Sequence, residues 1–224
     1  MFQPKALLFD LDGVLLDTEP LHGQAWTKTA ASFKTKLNDN QLKLLQGRRR
    51  VDCANQVSEW INQSIDPLEV LKVHQPISQD LLKNAKPMPG AKNLVIWCHE
   101  NKLPIALITS SSSISVKNKT SPHPWLKMFS TKVHGDDAEL LAGKPHPDPY
   151  LLGAKRLQVN PEECWAIEDS LSGTKSALTA GCKVWILKNN SNKNLTSQLN
   201  INNPSNPIFV DYLNNIQENL IELS

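Results

Sequence analysis

Short, uninterrupted apolar runs recur along the chain and predict buried strands. These runs occupy residues 6–9, 105–108, 165–167, 184–187 and 208–210. Between them, apolar residues recur at intervals of three and four, which is the spacing of one helix face, as in Ala91, Leu94, Val95 and Cys98. Strands that alternate with helices pair in parallel through right-handed crossovers. The pattern therefore predicts an α/β fold with a doubly wound parallel sheet.

Cap signals place the ends of several helices. Asp148 followed by Pro149 is typical of an N-cap with proline at the first helical position. Residues 172–180 form a helical pattern that Gly181 closes at its C-terminal cap. The segment 66–69, Asp-Pro-Leu-Glu, fits a capping box at the start of another helix.

One interval breaks the alternation of strands and helices. The stretch between the first two apolar runs is far longer than one crossover helix needs, and most of it has helical periodicity. Two predicted helix faces are Trp26, Ala30, Phe33 and Leu37, and Val51, Ala54, Val57 and Ile61. The segment 87–90, Pro-Met-Pro-Gly, is typical of a hinge. We therefore predict an all-helical domain inserted at residues 16–87, with residues 1–15 and 88–224 forming the core domain.

Composition narrows the class of protein. The chain has 224 residues, of which 40% are hydrophobic and 21% charged, and a net charge of +2. Such a small charge does not favour nucleic-acid binding. No apolar run approaches the roughly 18 residues of a membrane span, and the first residues do not resemble a signal peptide. The four widely spaced cysteines are expected to be reduced and buried. We expect a cytoplasmic protein that binds neither membrane nor nucleic acid.

Charged and hydroxyl side chains follow three of the predicted strands. They are Asp10, Asp12, Thr109, Ser110, Glu168 and Asp169, and Lys144 lies in a loop before a predicted helix. Ligands of an open parallel sheet bind beyond the carboxyl ends of its strands, so these side chains are expected to converge there. Clustered carboxylates need a cation, and oxygen ligands without His or Cys suit Mg²⁺. A lysine and a hydroxyl beside Mg²⁺ form an environment for a phosphoryl group, and a carboxylate there can act as a nucleophile.

Four segments together resemble the haloacid dehalogenase superfamily of phosphotransferases, in the branch with a helical cap inserted after the first strand. They are FDLDGVLLDTEP (9–20), LITSS (107–111), GKPHPDPY (143–150) and IEDSLSG (167–173), in the family's order. The resemblance implies a Rossmann-like core domain and a cap domain.

The resemblance also implies roles for the matching residues. Asp10 would be the nucleophile, and Asp12 the general acid and then the general base. Thr109 and Lys144 would hold the phosphoryl group. Mg²⁺ would be bound by Asp10, the backbone carbonyl of Asp12, Asp169 and, through water, Glu168. The expected reaction is two in-line displacements through an aspartyl-phosphate.

Residues that contact the substrate are expected in the cap and after Thr109. His22, Gly47 and Arg50 fall where beta-phosphoglucomutases have the same residue types, and Ser110 and Ser111 are further candidates. Those mutases carry Ser-Lys-Asn where this chain has three serines at 111–113. We therefore favour a phosphatase that acts on a small phosphorylated metabolite such as a sugar phosphate, with a phosphosugar mutase as the alternative.

Other readings of the same residues are weaker. The run of three arginines at 48–50 is short for a nucleic-acid site, and the serine run at 110–113 lacks the GxSxG pattern of a serine hydrolase. A catalytically silent interaction protein would not need the complete set of acidic, hydroxyl and lysine residues. We expect a monomer or at most a weak dimer.

Overall fold

Parallel strands organise the part of the chain that the structure, a computed structural model, describes: residues 2–45, 50–61, 65–189, 192–193, 195–199 and 207–223. The strands are β1 (Ala6–Phe9), β2 (Leu16–Asp17), β3 (Lys86–Pro87), β4 (Ile105–Ile108), β5 (Thr131–Val133), β6 (Cys164–Glu168), β7 (Lys183–Leu187) and β8 (Ile208–Val210).

Helices occupy most of the connections. They are α1 (Glu19–Ser32), α2 (Asp39–Leu45), α3 (Arg50–Trp60), α4 (Pro67–Leu82), α5 (Ala91–Glu100), α6 (Ser113–Thr120), α7 (Asp148–Leu157), α8 (Leu171–Thr179), α9 (Leu195–Gln198) and α10 (Leu213–Glu222). Short 3-10 helices lie at Pro124–Met128 and Pro161–Glu163.

The main sheet has six parallel strands in the order β5-β4-β1-β6-β7-β8. The chain passes from β1 to β4 and β5 on one side, and then returns to β6, β7 and β8 on the other. The direction of winding therefore reverses beside β1, which is where ligands of such sheets bind. The predicted α/β parallel sheet is confirmed.

The central strands are apolar because the sheet is buried. Every residue of β1, β4 and β6 is buried, and apart from Glu168 at the end of β6 these strands are continuous hydrophobic runs rather than alternating ones. Residues of α7 and α8 pack against them, with Tyr150 and Ala177 in the same hydrophobic cluster as Leu8 and Ala166.

Two cap predictions have different outcomes. Helix α8 begins after Ser170, whose hydroxyl accepts a hydrogen bond from Gly173 N at 3.0 Å, and Gly181 follows its end at a φ of +94°. Asp148 is not an N-cap, because helix α7 already includes it. Its carboxylate instead accepts a hydrogen bond from Ala142 N at 3.0 Å.

Two compact units divide the chain. The core unit comprises Met1–Asp17 and Lys86–Ser224, and the helical unit comprises Thr18–Ala85. The predicted boundaries placed Leu16, Asp17, Lys86 and Pro87 in the inserted domain. Instead β2 and β3 pair antiparallel, Leu16 with Pro87 and Asp17 with Lys86, so this ribbon stays with the core unit.

The helical unit has its own hydrophobic cluster. Its buried members are Trp26, Ala30, Leu37, Leu45, Cys53, Ala54, Val57, Ile61 and Val70. The predicted face that includes Val51 is wrong at that position, because Val51 is exposed. Helix α1 ends at Ser32, so Phe33 and Leu37 join the cluster from beyond the helix.

Some short elements were not predicted. Strand β5 is an edge strand of three residues, two of them polar. Helix α9 begins at Leu195, which is buried with Leu199 in the core cluster. The four cysteines are buried thiols that are not joined in disulfides, as expected. Among the described residues, none of the helices is both long and apolar enough to cross a bilayer.

Truncating the central strand should destabilise the core unit. Leu8 is fully buried in β1, and removing such a side chain leaves a cavity, so we expect Leu8→Ala to lower the free energy of unfolding by about 3 to 5 kcal/mol. Leu141, which is 96% exposed, provides the control. Leu141→Ala should change the free energy of unfolding by less than about 0.5 kcal/mol. Chemical denaturation measures both, and equal effects would contradict the assigned core.

Candidate active site

The carboxyl ends of β1, β4 and β6 bring the predicted site residues to one edge of the sheet. Phe9 pairs with Leu107 on one side and with Ile167 on the other, so the residues that follow these strands lie at neighbouring levels. Asp10 N donates a hydrogen bond to the Ile167 carbonyl at 3.0 Å, which extends the ladder to the first carboxylate.

A buried lysine joins two of these carboxylates. Lys144 Nζ lies 2.6 Å from Asp10 Oδ1 and 2.6 Å from Glu168 Oε1, and it donates to the Ile108 carbonyl at 3.0 Å. Its side chain is 3% exposed, so Lys144 is not a solvated surface lysine. One ammonium thus offsets the repulsion between two buried carboxylates that would otherwise be strongly disfavoured.

Glu168 is held from several sides. Its Oε1 also accepts a hydrogen bond from the Tyr150 hydroxyl at 2.7 Å. Its Oε2 accepts from Asp169 N at 3.1 Å and from the Ser170 hydroxyl at 3.0 Å. A Cβ on Gly173 would overlap this carboxylate, so glycine is required for the close approach of helix α8. Glu168 is therefore fixed in position by the fold.

The buried charges shift the pKa values of the groups around Lys144. Burial is the largest cause that raises the pKa of Asp10, and repulsion from Glu168 and Asp12 raises it further. Attraction to Lys144 acts in the opposite direction. The net result is a pKa of about 7 for Asp10. Burial alone lowers the pKa of Lys144, but the adjacent Asp10 and Glu168 carboxylates raise it above its usual value. Lys144 therefore stays an ammonium, and Asp10 needs a further positive charge to ionise fully.

An acidic cluster beside Lys144 fits such a charge. Asp10, Glu168 and Asp169 each offer an oxygen atom, and these atoms lie within 4.8 Å of one another. The donors are all carboxylate oxygens, which suit Mg²⁺ better than zinc or copper. Both Glu168 oxygens already accept hydrogen bonds from groups of the protein.

Asp169 is held by an asparagine pair that sequence reasoning did not identify. Asn189 Nδ2 donates to Asp169 Oδ2 at 2.9 Å, and Asn192 Nδ2 donates to the Asp169 carbonyl at 2.9 Å. The two asparagines also bind each other, since the backbone N of each donates to the side-chain oxygen of the other at 2.9 Å. Gly13, at a φ of +83°, leaves room for the Asp169 carboxylate, which a Cβ there would overlap.

Asp12 has a separate set of partners. Lys119 Nζ lies 2.6 Å from its Oδ1 and 2.5 Å from its Oδ2, and the Ser111 hydroxyl donates to Oδ2 at 2.9 Å. Thr109 is buried, and its hydroxyl accepts a hydrogen bond from Ser111 N at 3.1 Å. Ser110 is exposed. Ser111, predicted as a substrate-binding residue, thus contacts the Asp12 carboxylate.

The other predicted substrate residues belong to the helical unit. His22 lies on α1, and Arg50 is the exposed first residue of α3. Gly47 lies outside the described residues. Burial, and then the charges of Arg50 and His22, lower the pKa of His74 to about 3, so this buried imidazole, stacked on Trp26 at 3.7 Å between centroids, is neutral.

The sequence did not single out four residues that contact the site carboxylates or their backbone: Lys119, Tyr150, Asn189 and Asn192. Tyr150 ends the quoted segment GKPHPDPY, but nothing in the sequence indicates which atom it contacts. Lys119 had one usable signal: it lies three residues after Val116, on the buried face of α6. A lysine at a buried position of a helix indicates that an oppositely charged side chain pairs with it in the folded protein.

A nucleophile candidate, a buried lysine and an acidic cluster at a sheet's carboxyl edge define an α/β enzyme that handles an anionic, phosphoryl-like group. The model of the haloacid dehalogenase-like hydrolase family matches residues 4–197. The chain therefore belongs to the haloacid dehalogenase-like hydrolases, as the sequence motifs indicated.

Individual relatives agree with this assignment. The chain is 34% identical over 181 residues to a probable pseudouridine-5'-phosphatase of Drosophila melanogaster, covering 79% of this chain and 78% of the relative. It is 31% identical over 179 residues to a phosphorylated carbohydrates phosphatase of Thermotoga maritima, covering 79% and 82%.

A solved structure, a HAD hydrolase of family IA, variant 3, from Entamoeba histolytica, has a TM-score of 0.81 and 26% identity, and the similarity covers 97% of this chain and 98% of that one. The chain is an enzyme of this family, and the comparisons support phosphoric monoester hydrolysis as its activity class.

The raised pKa of Asp10 predicts a pH effect on stability without added metal. Between the usual 3.8 and about 7, the folded chain keeps a proton on Asp10 that the unfolded chain has released. Asp10 therefore makes the free energy of unfolding fall as pH rises through this window. Asp10→Asn removes the titrating group, so in EDTA the wild type should lose stability relative to this variant as pH rises. Denaturant titrations across the window measure the difference, and a relative gain would contradict the raised pKa.

Proposed function

We propose that the chain is a Mg²⁺-dependent phosphatase that hydrolyses a small phosphorylated metabolite through an aspartyl-phosphate on Asp10. The observation that carries this proposal is Lys144 Nζ, buried at 2.6 Å from both Asp10 and Glu168 at the carboxyl edge of β1. A fixed ammonium beside a carboxylate nucleophile is suited to hold the oxygens of a transferring phosphoryl group.

The reaction would proceed in two displacements. A carboxylate oxygen of Asp10 bonds to phosphorus while the bond to the leaving oxygen breaks, and Asp12 gives its proton to that oxygen. In the second step Asp12 takes a proton from water, whose oxygen bonds to phosphorus as the bond to Asp10 breaks. The products are the free alcohol, inorganic phosphate and the original Asp10 carboxylate. Thr109, beside Lys144 at the sheet edge, would bind the phosphoryl group with it.

The donor set fits a hard divalent cation. Asp10, Asp169 and the backbone carbonyl of Asp12 would bind Mg²⁺, and Glu168 would act through water because its oxygens already accept hydrogen bonds. Bound Mg²⁺ would supply positive charge that favours ionised Asp10 and offsets the charge of the transferring phosphoryl group.

We further propose a sugar phosphate or a similar small metabolite as the substrate, with no nucleic-acid or membrane partner. The relatives described above act, by their names, on pseudouridine 5'-phosphate and on phosphorylated carbohydrates. Within the helical unit, Arg50 is exposed and is the candidate for binding a second anionic group of the substrate. His22 and Gly47 are proposed as further substrate-binding residues.

A turnover assay tests the reaction directly. The chain is incubated with phosphorylated sugars and other small metabolites, with Mg²⁺ or with EDTA, and released phosphate is measured. We expect Mg²⁺-dependent release that Asp10→Asn abolishes, because no other group replaces the nucleophile. Lys117→Met, on an exposed side chain, is the control for substitution itself. Full activity of Asp10→Asn would contradict the assigned nucleophile.

The same assay distinguishes a phosphatase from a phosphosugar mutase. Beta-glucose 1-phosphate, primed with glucose bisphosphate, is followed for free phosphate and for glucose 6-phosphate separately. We expect free phosphate without glucose 6-phosphate. Glucose 6-phosphate with little free phosphate would make the chain a mutase.

The asparagine pair should affect metal binding. Asn192 holds the Asp169 backbone, and loss of groups that orient a ligand typically weakens metal affinity about 10- to 100-fold, so we expect Asn192→Ala to weaken Mg²⁺ binding by about this factor. Isothermal titration of the chain with Mg²⁺ measures the affinity without substrate. Asn93→Ala, at an exposed position on α5, is the matched control. Equal affinities in both variants would contradict the role of Asn192.

A further inference from the structure

Lys119 is a buried cation that lies outside every motif discussed above and contacts the proposed acid–base residue. We propose that Lys119 is a positioning residue that, together with Ser111, holds the Asp12 carboxylate in place for the attack of water on the aspartyl-phosphate. This inference rests on the proposed function and deepens it.

The three side chains form a closed set of contacts. Lys119 Nζ reaches both Asp12 oxygens, at 2.6 and 2.5 Å, and the Ser111 hydroxyl oxygen at 2.8 Å. Ser111 in turn donates to Asp12 Oδ2 at 2.9 Å. Because both carboxylate oxygens are engaged, rotation of the Asp12 side chain would break contacts to two different residues.

Burial indicates why this pair matters for more than stability. The Lys119 side chain is 1% exposed, whereas that of Asp12 is 25% exposed. Burying an ammonium is costly, and well-packed apolar residues are often as stable as a buried ion pair. The lysine therefore keeps the carboxylate fixed while one side of it remains accessible, which a water-activating group requires.

The chemistry of the second step uses this arrangement. The ionised Asp12 takes a proton from water, the water oxygen bonds to phosphorus, and the bond between phosphorus and Asp10 breaks. Lys119 contacts both carboxylate oxygens, so it holds Asp12 in the position that this step needs. A small misplacement of a reacting group can slow a step about 100-fold.

The role of Lys119 can be separated from general loss of activity with p-nitrophenyl phosphate. Its leaving group is stable as an anion, so phosphorylation of Asp10 needs little help from Asp12, whereas hydrolysis of the aspartyl-phosphate still does. We expect Lys119→Met to release p-nitrophenolate in a burst of about one equivalent, followed by steady turnover about 100-fold slower than in the wild type. Lys117→Met, which changes an exposed lysine on the same helix, should behave as the wild type.

Other outcomes would overturn the inference. Equal slowing of the burst and of steady turnover, or a raised KM with unchanged kcat, would mean that Lys119 serves substrate binding or the fold instead. Wild-type kinetics in Lys119→Met would also overturn it while leaving the proposed function intact. Absence of Mg²⁺-dependent turnover in the wild type would contradict the proposed function itself and this inference with it.

A second variant covers the case in which Lys119→Met does not fold, which its thermal unfolding would reveal. Ser111→Ala removes one hydroxyl from the set and leaves the buried ammonium paired with Asp12. We expect a burst of the same size and a smaller reduction of steady turnover. A Ser111→Ala chain without a burst would overturn the inference on its own.

Discussion

The pairing of Lys144 with Asp10 and Glu168 is the interaction on which the site depends. A parallel sheet directs the ends of neighbouring strands to the same edge, and here two of those ends carry buried carboxylates. Without a cation between them, their repulsion would oppose the pairing of β1 with β6. Lys144 offsets this repulsion with its positive charge. The Tyr150 hydroxyl also binds Glu168, and helix α8 packs so closely against this carboxylate that glycine is needed at position 173.

The carboxylates of the site have partners from other parts of the chain. Lys144 contacts Asp10 and Glu168, and Lys119 contacts Asp12. The Asn189 amide contacts the Asp169 carboxylate, and the Asn192 amide contacts the Asp169 backbone carbonyl. The partners differ in charge as well as in position: two ammonium groups neutralise, whereas the amides only orient.

The sequence predicted the buried strands and the residues that follow them, because a strand covered on both faces is a continuous apolar run. It did not predict β5 or the ribbon of β2 and β3, because these short strands contain polar residues or proline and form no apolar run. Asp10, Lys144, Glu168 and Asp169 could be found from their positions after strands and in family motifs, and their catalytic and metal-binding roles remain proposals. Lys119 was not identified, because it lies outside the family motifs and only the packing of α6 brings it to Asp12. Gly47 lies outside the described residues, and the roles of His22 and Arg50 remain predictions.

The ribbon of β2 and β3 has a consequence for how such a chain can diversify. Asp17 and Lys86 are paired across the ribbon, so the main chain leaves the core unit and re-enters it through adjacent residues. A segment of any length can be accommodated between two such residues without altering the registers of β1 and β4, because the cost of closing a loop rises only slowly with its length. The ribbon therefore allows the segment between positions 17 and 86 to be exchanged for one of different length while the strand registers of the core unit are kept.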